Sequence, residues 1–264
     1  MSITRRIAVK VGSNVLTRAD GTLDITRMSA LVDQLAAMRH QGIEVVLITS
    51  GAVASGRSEL HLPQEAIDRM SSVEQRQLYS AVGQAKLMSR YVELFRDHGL
   101  HVGQVLTMKE NFAPGEQYDN QRQCMTAMLS HGVLPIVNEN DTVCVTELMF
   151  TDNDELSGLV ALMLECDTLI ILSNIDGIYT GLPSDPASRL IARIAPADDI
   201  SPCIQASKSE HGRGGMQSKH ATARRVQMAG TRVLIANGKR DEVLTRLLAD
   251  PAGIPHTEFV PYCQ

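Results

Sequence analysis

Two lysines near opposite ends of this 264-residue chain each stand in a glycine-rich turn. Lys10 follows the apolar run Ile7-Ala8-Val9 and leads into Val11-Gly12-Ser13-Asn14. Lys219 closes the stretch Gly212-Arg213-Gly214-Gly215-Met216-Gln217-Ser218 and opens a helical pattern. Glycine lets a backbone approach an oxygen-rich ligand and turn its N–H groups inward. A helix start favours anions, and lysine adds a mobile positive point charge. Two such turns converging on one place would hold a polyphosphate from both sides, so nucleotide chemistry is the first expectation.

The elements that must position these lysines alternate along the chain. Short β-branched runs at 7–11, 43–49, 101–106, 133–137, 168–172 and 232–236 read as strands. Amphipathic stretches at 26–40, 72–98, 120–130, 154–164, 216–229 and 241–248 read as helices. In the first helix Met28, Leu31, Val32, Leu35 and Met38 share a face, with Asp24 or Thr26 as cap and Gly42 as terminator. Residues between Asn174 and Gly215 read as turns, and residues from 107 to 119 as loop. The pattern predicts an α/β fold: an open, mainly parallel, doubly wound sheet in a three-layer αβα sandwich. Ligands in such sheets collect at the carboxyl ends of strands. Four strands here discharge polar residues there: Lys10-Val11-Gly12-Ser13, Thr49-Ser50-Gly51-Ala52, Asn138-Glu139-Asn140-Asp141 and Ser173-Asn174.

Bulk properties exclude several classes. A net charge of −5 argues against a nucleic-acid surface. No apolar run is long enough for a membrane span, and the N-terminus lacks a leader's apolar stretch. The five cysteines are scattered, with no C-x-x-C pair, which fits neither a disulfide framework nor a zinc site. Three of them stand in apolar stretches and read as small core residues, and a reduced, cytoplasmic setting is expected. Neither G-x-x-x-x-G-K-[ST] nor a G-x-G-x-x-G turn after the first strand is present, so P-loop and dinucleotide-binding folds are set aside.

Several blocks carry a resemblance. They are Val9-Lys10-Val11-Gly12-Ser13, Thr49 to Gly56, Ala81-Val82-Gly83-Gln84, Gly103 to Thr107, Pro135 to Asp141, Asp152 to Ser157, Gly177-Ile178-Tyr179-Thr180, and Gly214-Gly215-Met216 with Lys219. In these the chain resembles the amino acid kinase family over nearly its whole length. It most resembles the branch that phosphorylates the γ-carboxylate of L-glutamate with ATP at the start of proline synthesis. The resemblance implies catalytic roles for Lys10, Asp154 and Lys219, with Asp154 between the lysines. It places the acceptor at Ser50, Gly51, Ala52, Asn138, Asp141 and Asn153. Asp141 is suited to the α-ammonium group. ATP would meet Lys10, Gly12, Ser13, Ser173, Asn174, Arg213, Gly214, Gly215, Met216 and Lys219. Mg²⁺ would bridge the phosphates, with no protein metal-ligand set expected.

The resemblance also implies a homo-oligomer and proline as a feedback inhibitor. Residues 1–264 read as one kinase domain without the PUA-type domain that many members carry. Two departures fall in the nucleotide half: Ser173-Asn174 where many members read Thr-Asp, and Arg213 in place of a threonine. A sister kinase acting on another carboxylate or carbamate, and a catalytically silent nucleotide-binding module, remain alternatives. Retention of Lys10, Asp154 and Lys219 together weighs against the silent module. The acidic, amide-rich 138–141 stretch weighs against a phosphorylated acceptor.

Overall fold

A computed structural model describes residues 5–143, 152–206 and 215–263. Eight strands form one sheet: β1 (Arg6–Val11), β2 (Glu44–Ile48), β3 (Val102–Thr107), β4 (Leu134–Glu139), β5 (Thr168–Ser173), β6 (Arg193–Ile194), β7 (Arg232–Asn237) and β8 (His256–Phe259). Their order is β3-β4-β2-β1-β5-β7-β8-β6. The first six in that order are mutually parallel, β8 runs antiparallel to β7, and β6 is parallel to β8.

Ten helices accompany the strands among the described residues: α1 (Ser13–Leu16), α2 (Ile25–His40), α3 (Ala52–Leu60), α4 (Gln64–Asp68), α5 (Ser72–Arg96), α6 (Glu116–Ser130), α7 (Asn153–Met163), α8 (Ser201–Ala206), α9 (Met216–Met228) and α10 (Val243–Ala249).

The central strands β1, β2, β5 and β7 carry apolar residues at most positions because both faces are covered. Ile7, Val9, Val45, Leu47, Ile170 and Leu172 enter one core with α2, α5 and α10. Ala8, Val46, Ile48, Leu169 and Ile171 enter a second core with α6, α7 and α9. Burying one such Val, Leu or Ile is worth about 1.5–3 kcal/mol. A one-residue slip would exchange the two sets between cores, so the register is strongly specified. This is the expected three-layer sandwich.

Helix ends follow local signals. Asp24 caps α2 by accepting from Arg27 N at 3.1 Å, and Gly42 follows its end at φ 81°. Ser71 and Glu74 form a reciprocal capping box at the start of α5. Some elements depart from the sequence expectations. Helix α6 begins at Glu116 rather than 120, directly after Gly115. Helix α3 was not expected, because its Ala-Val-Ala-Ser-Gly-Arg-Ser run lacks a long apolar stripe. The stretch expected to be only turns contains β6 and α8. Of the cysteines in the described residues only Cys166 is fully buried; Cys124 and Cys263 are exposed and Cys203 is intermediate, so three core cysteines are not found. Among the described residues no helix is long and apolar enough to cross a membrane.

The contact between α3 and α5 is unusually close. A Cβ on Gly83 would lie 1.8 Å from Ala52 O, and one on Gly56 would lie 1.9 Å from Tyr79 O. Backbone lies against backbone there, and no flexible side chain can give way. A Gly83→Ala substitution is expected to cost about 1–3 kcal/mol by overpacking. At about 2–4 °C per kcal/mol for a chain of this size, a thermal melt should show a clear fall in Tm. An unchanged Tm would mean that α3 moves freely.

Candidate active site

The parallel strands β4, β2, β1 and β5 are neighbours in the sheet, so their carboxyl ends meet at one edge. There they open into a cleft of about 790 Å³. The amino ends of α3, α7 and α9 reach the same cleft, which favours bound anions. At the first of these, Gly51 has φ 107°, a conformation that costs an L side chain and is free to glycine. It turns the chain from β2 directly into α3.

The charged centre is a triad. Lys10, next to the last residue of β1, points to the same side of the sheet as Ala8. Its Nζ lies 2.6 Å from Asp154 Oδ1. Lys219, in the first turns of α9, donates its Nζ hydrogen bond to Asp154 Oδ2 at 2.9 Å. Asp154 has no solvent exposure, and the lysines are 5% and 9% exposed. Each lysine therefore takes one oxygen of a single carboxylate. Helix α7 brings Asp154 to this point because Asp152 caps it, accepting from the Asp154 and Glu155 N–H groups through Oδ1. Helix α9 lies against α7 where Gly158 meets Thr222 and Val226.

Burial alone would push the Asp154 carboxyl up. The charges of Lys10 and Lys219 and their hydrogen bonds outweigh it, so its pKa is held below the ordinary 3.8. Burial and the neighbouring Asp154 charge push Asp152 up instead. Burial also raises Asp141, against the charge and hydrogen bonds of Arg76.

A second cluster occupies the other half of the cleft. Asn153 Nδ2 donates to Thr49 O at 2.8 Å, Ser50 Oγ at 3.0 Å and Asn138 Oδ1 at 3.2 Å. Asn138 Nδ2 donates to Gln84 Oε1 at 3.0 Å, which joins β4 to α5. Thr49 is held in turn by a 2.7 Å hydrogen bond with the buried Tyr91 hydroxyl. Arg76, from α5, pairs with Asp141 at 2.7 Å through Nε and with Glu139 at 2.6 Å through Nη2.

The structure brings fifteen of the residues selected from sequence to this one cleft: Lys10, Gly12, Ser13, Ser50, Gly51, Ala52, Asn138, Asp141, Asn153, Asp154, Ser173, Asn174, Gly215, Met216 and Lys219. Arg213 and Gly214 lie outside the described residues. Sequence reasoning missed Arg76, Glu139, Asp152 and Gln84 as parts of the site. Gln84 stood inside a matched block without an assigned role. Asp152 carried the signal of an acidic residue before a helix, and Arg76 carried none.

A parallel sheet whose strand ends converge on two lysines bridged by a buried aspartate defines an anion-handling enzyme of the phosphotransferase kind. The model of the amino acid kinase family matches residues 5–237, and the chain belongs to that family. Within it the chain stands among the glutamate 5-kinases. It is 64% identical to the glutamate 5-kinase of Bacteroides thetaiotaomicron over 97% of this chain and 70% of that one. It is 41% identical to that of Symbiobacterium thermophilum over 93% of this chain and 92% of that one. The chain spans 66% of the Chlorobaculum tepidum relative, to which it is 44% identical over 92% of its own length. The fold is shared with carbamate kinase from Giardia lamblia bound to AMP-PNP, at TM-score 0.71 and 16% identity over 99% of this chain and 100% of that one. UMP kinase from Bacillus anthracis matches at TM-score 0.66 and 16% identity over 98% and 97%. These structures share the fold alone; it is the family and the glutamate 5-kinase relatives that make the chain an ATP-dependent kinase.

The triad predicts a pH dependence of stability. Because the folded pKa of Asp154 is lowered, its contribution is present above the unfolded value and is lost as pH falls through the folded one. Asp154→Asn leaves two ammonium groups without their counter-charge, and is expected to cost about 3–5 kcal/mol near neutrality. Denaturant unfolding of the ligand-free proteins should show this gap narrowing as pH is lowered below about 4. A gap that stays constant into strong acid would contradict the charge role of Asp154.

Proposed function

We propose that the chain transfers the γ-phosphoryl group of ATP to the γ-carboxylate of L-glutamate, giving L-glutamyl 5-phosphate and ADP, the first step of proline biosynthesis. The observation that carries this reading is the pair of lysines on opposite oxygens of the buried Asp154, beside the amide-rich acceptor half. Its glutamate 5-kinase relatives support the choice of acceptor.

The γ-carboxylate is already ionised at neutral pH and needs no general base. One of its oxygens attacks Pγ as the bond from Pγ to the bridging oxygen breaks, and ADP departs with that electron pair. The protein's task is in-line positioning and neutralisation of the phosphoryl charge. Lys10 and Lys219 supply the cations from two sides. Asp154 holds the two ammonium groups close together. Gly12, Ser13, Gly215 and Met216 offer backbone toward phosphate oxygens, with Ser173 and Asn174 toward the nucleoside. Ser50, Asn138 and Asn153 hold the carboxylates of glutamate, and Asp141 its α-ammonium group.

Mg²⁺ is the metal expected with ATP. It is a hard cation commonly held by one or two carboxylates together with phosphate oxygens. Among the described residues no cluster of three metal-ligating side chains exists. The residues nevertheless fit the ion, because Asp152 Oδ1 is committed to the helix cap while Oδ2 is outside that cap. Asp152 is the residue that would hold the ion, and the ion would neutralise phosphate charge.

The test is ADP release with ATP and Mg²⁺, with acceptors varied and hydroxylamine added to trap an acyl phosphate. L-Glutamate should support turnover and yield the γ-hydroxamate; turnover only with another acceptor would refute the assignment. Lys10→Ala and Lys219→Ala should each lower kcat by about 10²–10³-fold, the scale of one lost electrostatic contact to the transition state. Glutamate affinity should be retained in both. Unchanged turnover in Lys10→Ala would remove this mechanism.

A further inference from the structure

Among the described residues, Lys10, Arg57, Arg76 and Lys219 are the cationic side chains that line the cleft. Lys10 and Lys219 share Asp154. Arg76 contacts Glu139 and Asp141. Arg57, on α3, is exposed and has no ion-pair partner among the described residues. Glu59, the acid of the same helix, pairs with Lys86 at 3.1 Å instead. A cation that faces a cleft without a counter-charge of its own suits an anionic group of a ligand.

Two features hold Arg57 ready. Its guanidinium carbon lies 5.4 Å from the centroid of the Tyr79 ring, and Tyr79 is buried in α5. An aromatic face supports a guanidinium by its flat side and leaves the N–H edge open. Helical side chains also lean toward the amino end of their helix. Helix α3 begins at the cleft, and Arg57 stands about 7.5 Å beyond Ala52 at about 1.5 Å per residue. The lean brings it back toward the acceptor turn at Ser50 and Gly51, whose residues line the same cleft. L-Glutamate carries two carboxylates, and only the γ-carboxylate meets the lysines. The α-carboxylate lies farther along the substrate, where Ser50 and Asn153 offer neutral groups.

We propose that Arg57 is a specificity-determining residue that binds the non-reacting carboxylate of the acceptor. Its planar fork matches the two oxygens of a carboxylate, a match that a lysine's point charge reproduces poorly. The ligand class is therefore an amino acid with a second, free carboxylate remote from the one phosphorylated. Arg57 contributes to binding and not to the phosphoryl step. The inference rests on the proposed glutamate reaction and deepens it.

The experiment compares the unsubstituted protein with R57Q and R57K, following radiolabelled L-glutamate into its γ-hydroxamate with ATP, Mg²⁺ and hydroxylamine. L-Isoglutamine serves as the competing probe: it keeps the ammonium group and the γ-carboxylate, and its α-carboxylate is replaced by a neutral amide of similar size. R57Q should raise KM for L-glutamate by about tenfold or more, with kcat within about threefold, as expected when an interaction made equally in ground and transition states is lost. The inhibition constant of isoglutamine should stay within about twofold, because its amide offers no charge to Arg57. R57K, which keeps the charge without the fork, should recover part of the lost glutamate affinity. A parallel loss of glutamate and isoglutamine binding would assign Arg57 a merely structural role and overturn the proposal, as would unchanged constants for both. Absence of labelled hydroxamate from the unsubstituted protein would overturn the underlying reaction and this assignment with it, a result distinct from either of these.

Discussion

The site depends on one buried carboxylate holding two like charges together. Two ammonium groups brought this close in a protected cleft would repel each other without a counter-charge between them. Asp154 supplies it by giving one oxygen to Lys10 and the other to Lys219. Its own burial is tolerable only because those two cations face it, which is why its pKa falls despite the loss of water. Each member makes the placement of the others affordable, and all three come from different elements: β1, α7 and α9. Any shift of α7 or α9 against the sheet would therefore be felt first at this charged triad.

The parallel sheet supplies the frame for that interaction. With β4, β2, β1 and β5 adjacent and pointing the same way, four strand ends share one edge. The amino ends of α3, α7 and α9 open at the cleft. One half gathers lysines and helix starts, which suit phosphates. The other gathers amides and acids around Asn153, Asn138 and Asp141, which suit a zwitterion. In the proposed reaction this division would let one edge of the sheet bring donor and acceptor together without mixing the chemistry that holds each.

Helix α5 has a larger role than its sequence suggests. Arg76, Gln84 and Tyr91 reach Glu139 and Asp141, Asn138, and Thr49 respectively. The helix is thus a rigid back wall that orients the strand ends of the acceptor half. Its contact with α3 at Gly83 and Gly56 sets where α3 begins, and hence where Gly51 and Ala52 lie. Acceptor geometry and helix packing are coupled here through backbone contact.

By itself the sequence determined the strand–helix alternation, the two-faced apolar strands, and the residues at four strand ends. These are local matters of periodicity, of glycine at tight turns and of polar residues after apolar runs. Lys10, Lys219 and Ser50 were legible for that reason, while Asp154 and Asn153 were singled out by the resemblance of the Asp152 to Ser157 block to the amino acid kinase family. The tertiary structure alone decided what faces them. Arg76 is sixty-odd residues from its partners, on a helix with many polar positions, and no spacing joins it to Glu139 or Asp141. Strands β6 and β8, at one end of the sheet, were illegible because a two-residue and a four-residue strand have too little pattern. Strand β8 forms against the edge that β7 offers, where Arg232 also pairs with Glu258, and β6 adds to β8 in turn. Periodicity records which side of an element is buried. Only the packed chain fixes which distant charge lies opposite, because that follows from how whole elements are placed against one another.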